Sequence, residues 1–137
     1  MKIMGIDFGA VRTGVAVCDE TMLLASPVCV ITEKNEKALI AKLSELAADH
    51  KVEKIVAGRP VNMDGSVGDR TEINERLARL LEKASGISVA MWDERLTTVS
   101  AERALNVTNT RGKKRKDIID AVSAVIILEA YMKFLGK

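Results

Sequence analysis

Three short apolar runs open the chain with no helical stripe between them, and from there strand-length runs alternate with helical stripes. No other property of the sequence constrains the fold as much. Residues 2–8 (KIMGIDF) and 13–18 (TGVAVC) flank a Gly-containing turn, the pattern of a β-hairpin. Pro27 opens a third strand filled by Val28 to Ile31, the first position of a strand being one that tolerates proline. From Glu36 to His50, Leu39, Leu43, Leu46 and Ala47 share one helical face. Lys54 to Gly58 has strand length, and Arg59 to Gly68, with Pro60, Asn62, Asp64, Gly65 and Gly68, predicts a loop. A second helix is marked by Ile73, Leu77, Leu80, Leu81 and Ala84. Asp69 and Glu72 lie in its first turn, Lys83 in its last and Gly86 beyond its end. Ser88 to Trp92 predicts a fifth strand and Thr98 to Leu105 a short helix. A loop over Asn106 to Lys116 then leads into a last helix, Asp117 to Phe134, burying Ile118, Val122, Val125, Ile126 and Leu128.

Three strands in succession followed by helix, strand, helix, strand imply a three-strand antiparallel meander joined to parallel βαβ units. The expected fold is a mixed five-stranded α/β sheet flanked by helices. With 137 residues, 47% hydrophobic and 29% charged, the chain suits a single globular domain over 1–137 rather than a disordered chain. Its longest apolar stretch, Ala121 to Leu128, falls short of the roughly 20 residues of a membrane span, and no signal-peptide pattern opens the sequence. The expectation is a cytoplasmic protein with no membrane partner. Cys18 and Cys29 lack metal-ligand or CxxC spacing and sit in apolar runs, as buried free thiols do. The lone His50 ends a helix, where a surface cation is common, and has no evident catalytic partner.

Three acids stand out. Asp7 interrupts Ile3, Met4, Ile6 and Phe8 in a strand expected near the sheet centre, where a carboxylate is costly unless paired or bound to a cation. A strand-end aspartate bonding the following turn is the plainer explanation. Gly5 and Gly9 beside it favour close approach of a ligand or backbone. Glu94 follows the fifth strand, and ligands of α/β sheets bind at strand carboxyl ends. Asp93 competes from the same turn, and a helix cap would explain either. Asp117 and Asp120 fall in the first turn of the last helix, where the dipole stabilises acids. Capping explains Asp117 well. It explains Asp120 less well, because small residues at 121, 123 and 124 follow and would let the helix approach a sheet closely.

Carboxylates with no histidine base point to oxygen-ligated hard cations, Mg²⁺ or Mn²⁺. Two such ions can activate water and stabilise the leaving oxygen of a phosphodiester. Five of the six residues from Arg111 to Lys116 are basic, so the formal net charge of +2 is local and the remainder of the chain is net acidic. A solvated loop is the usual meaning of such a run, and a phosphate-contacting arm the other. Arg12, Arg59, Arg95, Arg111, Lys113, Lys114, Arg115 and Lys116 are the candidates to hold a polyanion.

At these positions the chain resembles the YqgF/RuvX family, described as pre-16S ribosomal RNA nucleases and as Holliday junction resolvases. The matching segments are GIDFGAVRTGVAV at 5–17, GRPVNMDGSVG at 58–68, DERLTT at 93–98 and DAVSAVIILEAY at 120–131. Together they span nearly the whole chain in order. The resemblance implies a ribonuclease H-like fold and a role in maturing the 5′ end of small-subunit ribosomal RNA, with precursor ribosomal particles as possible partners. It matches Asp7 to the family's first-strand aspartate, Glu94 to the acid of its DER motif and Asp120 to the aspartate opening the last helix. Arg59 stands where the family has Leu, and Ser123 where it has Ala. A junction-cleaving DNA endonuclease and a noncatalytic RNA-binding assembly factor on the same fold are the alternatives. IDFGAVRTG also resembles the first phosphate loop of the actin and sugar-kinase superfamily, whose nucleotide site needs a second lobe. Oligomeric state is not legible.

Overall fold

The computed structural model describes residues 1–19, 21, 24–60, 64, 66–93 and 112–136, with the backbone alone for 112–120. Strands β1 (Ile3–Phe8), β2 (Arg12–Cys18) and β3 (Ala25–Thr32) precede helix α1 (Glu36–Asp49), strand β4 (Lys54–Arg59), helix α2 (Asp69–Ser85), strand β5 (Val89–Asp93) and helix α3 (Gly112–Leu135). They build one sheet in the order β3-β2-β1-β4-β5. The pairs β1–β2 and β2–β3 are antiparallel, whereas β1–β4 and β4–β5 are parallel. This is the meander joined to βαβ units that the run order implies.

Side-chain alternation sorts the core onto two faces. Met4, Ile6, Phe8, Val15, Ile55 and Ala57 meet Leu39, Leu43 and Ala47 of α1 and Leu77 and Leu81 of α2. On the other face Ile3, Ala16, Cys18 and Val56 meet Ala124, Ile127, Leu128, Tyr131 and Met132 of α3. Leu43 and Leu81 are fully buried, each stabilising the fold by roughly 1.5–3 kcal/mol relative to exposure. Helix α3 lies close to β1 because Gly5 has no Cβ. One placed there would stand 2.8 Å from both the Ala124 carbonyl oxygen and Leu128 Cβ.

Several expectations need correction. Pro27 does not open β3, which begins two residues earlier at Ala25. The strand tolerates it because β3 is the sheet edge and bulges there: Val15 pairs with Cys29 and Ala16 with Pro27, leaving Val28 without an opposite residue. The buried stripe of α2 runs through Thr71, Asn74, Leu77, Ala78 and Leu81, while Leu80 is exposed. Helix α3 begins at Gly112, five residues before the expected Asp117. Lys113 to Lys116 are therefore helical rather than part of a loop, as suits good helix formers. Asp117 and Asp120 lie beyond the first turn, so capping no longer accounts for Asp117. The α3 core stripe is Ala124, Ile127, Leu128 and Tyr131, with Val122, Val125 and Ile126 only half-buried. The expected helix Thr98 to Leu105 lies outside the described residues, and the side chain of Ile118 is not described.

Candidate metal and nucleic-acid site

The parallel strands β1, β4 and β5 present their carboxyl ends along one edge of the sheet. Asp7 lies there, half-buried, one residue from the end of β1. Its side of the strand is that of Ile3 and Gly5, the α3 face. Both in-plane neighbours lack side chains. Asp7 pairs with Gly14 of β2, and on β4 the residue after Ala57, the partner of Ile6, is Gly58. Both flanking glycines, Gly14 and Gly58, are buried, so no side chain from either neighbouring strand stands beside the carboxylate.

On β5, Ala90 and Trp92 belong to the α3 face, whereas Val89 and Met91 pack on the α1/α2 side. Asp93, paired with Arg59, has the parity of Val89 and Met91. Asp93 therefore does not share a face with Asp7. Glu94 lies outside the described residues. Asp120 lies in α3 one turn before Ala124, whose carbonyl approaches Gly5; its side chain is not described. Among the described residues, no three His, Cys, Asp or Glu side chains gather as a cation site; two of the three expected acids lie outside that description.

The basic candidates divide by face. Arg12 opens β2 with the parity of Gly14, Ala16 and Cys18, which places it on the Asp7 face at the same edge. Arg59 lies on the other face and pairs with Glu75 of α2 at 3.7 Å. Arg95 and Arg111 lie outside the described residues. Lys113, Lys114, Arg115 and Lys116 occupy the opening turns of α3, with side chains not described.

Sequence reasoning missed a cluster behind this edge. Thr71 and Asn74, at 1% and 0% exposure, are polar residues in the apolar stripe of α2. Asn74 Nδ2 donates to the Gly58 carbonyl at 3.2 Å. Thr71 Oγ1 donates to the Pro60 carbonyl and accepts from the Gly68 N–H at 3.4 Å. The available signal was a break in the helical stripe, an Asn three residues before Leu77.

Trp92 is half-buried and packs edge-on against Tyr131 and Phe134, with ring centroids 6.2 and 5.8 Å away. This is a packing role, as its position at the end of an apolar strand suggests. Cys18 is buried and Cys29 half-buried, both as free thiols. Burial raises the Cys29 thiol above its ordinary pKa, and Cys18 Sγ accepts from the Ile3 N–H at 3.1 Å. His50 caps the C-terminus of α1. A cavity of about 560 Å³ lined by Lys2, Cys18, Asp19 and Leu24 lies at the opposite sheet edge, away from Asp7. No described helix is long and apolar enough to cross a membrane.

The model of the RuvX family, described as Holliday junction resolvase, matches residues 1–134. A protein of Agathobacter rectalis named "Putative pre-16S rRNA nuclease" is 38% identical over 140 residues, covering 100% of this chain and 98% of its own. A protein of the same name from Bacillus subtilis is 40% identical over 138 residues, covering 99% of this chain and 100% of its own. Among solved structures, T. thermophilus RuvC in complex with a Holliday junction substrate superposes with a TM-score of 0.65 at 14% identity. The match covers 100% of this chain and 97% of that one. The fowlpox virus Holliday junction resolvase gives 0.62 at 11% identity, covering 98% and 99%. These likenesses agree with the strand order in placing the chain in the ribonuclease H-like α/β fold.

Proposed function

The chain belongs to the RuvX family, and from that premise we propose that it is a divalent-metal-dependent nuclease acting in 5′-end maturation of pre-16S ribosomal RNA. Asp7, Glu94 and Asp120 are its acids. The observation that carries this reading is Asp7 itself, a carboxylate at the carboxyl edge of three parallel strands with a glycine on either flank. An all-carboxylate donor set fits Mg²⁺ or Mn²⁺, since hard cations take oxygen ligands. Such ions supply activation of water and stabilisation of the leaving oxygen.

Two further acids complete the site. Glu94 directly follows β5 in the sequence, and β5 stands two places from β1 in the sheet, roughly 10 Å away. Asp120 precedes Ala124, whose carbonyl approaches Gly5 of β1, by about one helical turn. The chain's own tasks would be to hold the cations through these acids, to orient the scissile phosphate with Arg12, and to draw in the polyanion. Arg59, Arg95, Arg111 and Lys113 to Lys116 serve the last. Pairing of Arg59 with Glu75 makes it the weakest contributor.

The junction-bound T. thermophilus RuvC of the same fold favours a second substrate reading, branched DNA. One assay separates the readings. Wild type, Asp7→Asn, Glu94→Gln and Asp120→Asn are incubated with precursor ribosomal RNA and with a four-way DNA junction, in Mg²⁺ or Mn²⁺. Cleavage of the RNA by wild type and by none of the variants is expected. Cleavage of the junction alone moves the substrate to DNA. Binding without cleavage by wild type makes the chain a passive ribosome-assembly factor.

A further inference from the structure

Three consecutive residues at the exit of β4 are each held by a side chain from the first two turns of α2. Gly58 is held by Asn74, Arg59 by Glu75 and Pro60 by Thr71. Two of these ties are buried. Thr71 and Asn74 stand one turn apart and are, among the described side chains of the helices, the buried polar ones. Burying such groups is costly and gains little over apolar residues unless the geometry they impose is used. The Thr71 hydroxyl has its proton on Pro60 and a lone pair on Gly68, so its rotor is fixed from both sides.

What the ties fix is the spacer of the proposed site. Strand β4 lies between β1, which carries Asp7, and β5, which leads to Glu94. Gly58 pairs with Trp92 and Arg59 with Asp93, so the position of the β4 exit sets where β5 leaves the sheet. The clamp acts from the α1/α2 face, opposite the face of Asp7. We infer that Thr71 and Asn74 are positioning residues that set the separation of Asp7 from the end of β5 by clamping the β4 exit from behind. Neither touches substrate or cation. The inference rests on the metal-dependent nuclease reading given above.

The test uses the full chain with Mn²⁺ as the probe. Two quantities are read: the Mn²⁺ concentration giving half the maximal rise in melting temperature, and the kcat and KM for precursor RNA. Thr71→Val and Asn74→Leu remove the hydrogen bonds, Thr71→Ser keeps them, and Leu81→Val weakens the same helix two turns farther on. The expected result for the first two is a rise in half-saturating Mn²⁺ of about tenfold, the lower end for groups that orient ligands indirectly. Their kcat falls while KM stays within about twofold. Thr71→Ser behaves as wild type, and Leu81→Val lowers the melting temperature without moving the Mn²⁺ midpoint. If Asn74→Leu does not fold, the contrast between Thr71→Val and Thr71→Ser decides. A Thr71→Val midpoint equal to wild type, or an equal shift in Leu81→Val, overturns the inference and leaves the nuclease reading standing. A wild type that neither binds Mn²⁺ nor cleaves overturns that reading and the inference with it. Mn²⁺ binding without RNA cleavage removes only the substrate, and the midpoints still decide.

Discussion

At the scale of single residues, the absence of a side chain matters as much as its presence. Gly5 admits α3 onto the sheet, and Gly14 and Gly58 flank Asp7 within the sheet without side chains of their own. Gly5→Ala is expected to destabilise by about 1–3 kcal/mol, the usual cost of overpacking. It should also lower cation affinity by displacing α3, which carries Asp120. Chemical denaturation and a Mn²⁺ titration check this, and a Gly5→Ala protein as stable as wild type would contradict the close approach. The sequence makes Asp7 conspicuous because a carboxylate among Ile and Phe is energetically odd. It cannot display the paired glycines, since Gly14 and Gly58 become neighbours of Asp7 only through register. Asn74 shows in the sequence as a break in the α2 stripe, but the partners of Thr71 and Asn74 do not, because they are backbone carbonyls, which no residue type announces.

At the scale of elements, helix ends were the least legible feature where they lacked the usual residue. The end of α2 has Gly86 in the left-handed region, as its sequence signals. Helix α1 closes in the same way on Lys51, at φ 56, with Val52 N–H on the Ala47 carbonyl and Lys51 N–H on that of Ala48. This is a Schellman closure with a lysine where glycine is favoured. Lys51→Gly is expected to stabilise the protein by about 1 kcal/mol, read as a higher denaturation midpoint, because a left-handed residue with a Cβ is strained. Loss of stability would show that Lys51 makes a compensating contact. Helix α3 begins earlier than its apolar stripe because its first turns are basic and carry no periodic signal. Cations at a helix N-terminus oppose the dipole. Replacing Lys113, Lys114, Arg115 and Lys116 by Gln should therefore stabilise α3 slightly while weakening nucleic-acid binding. Each lost phosphate contact should remove roughly 0.7–0.9 from the log–log salt slope. An unchanged slope would take this run out of the binding surface.

At the scale of the whole molecule, the fold separates two tasks onto two faces of one sheet. The α1/α2 face holds the larger apolar cluster and the clamp on β4, and the α3 face holds the smaller cluster and Asp7. The order of apolar runs made this architecture legible, because strand and helix periods differ and parallel strands require crossovers. The composition of the site was legible only as a set of isolated acids, since convergence depends on the order β2-β1-β4-β5 and on parity along each strand. The central claim is that convergence: Asp7, Glu94 and Asp120, drawn from two parallel strands' ends and a helix, share one cation site. Anomalous diffraction from crystals soaked in Mn²⁺ measures it directly. The expected result is a peak bridging the three carboxylates, with oxygens at roughly 2.0–2.2 Å, near the octahedral distances of Mg²⁺. A peak elsewhere with none at Asp7, or carboxylates of these residues on different faces of the sheet, would contradict the account.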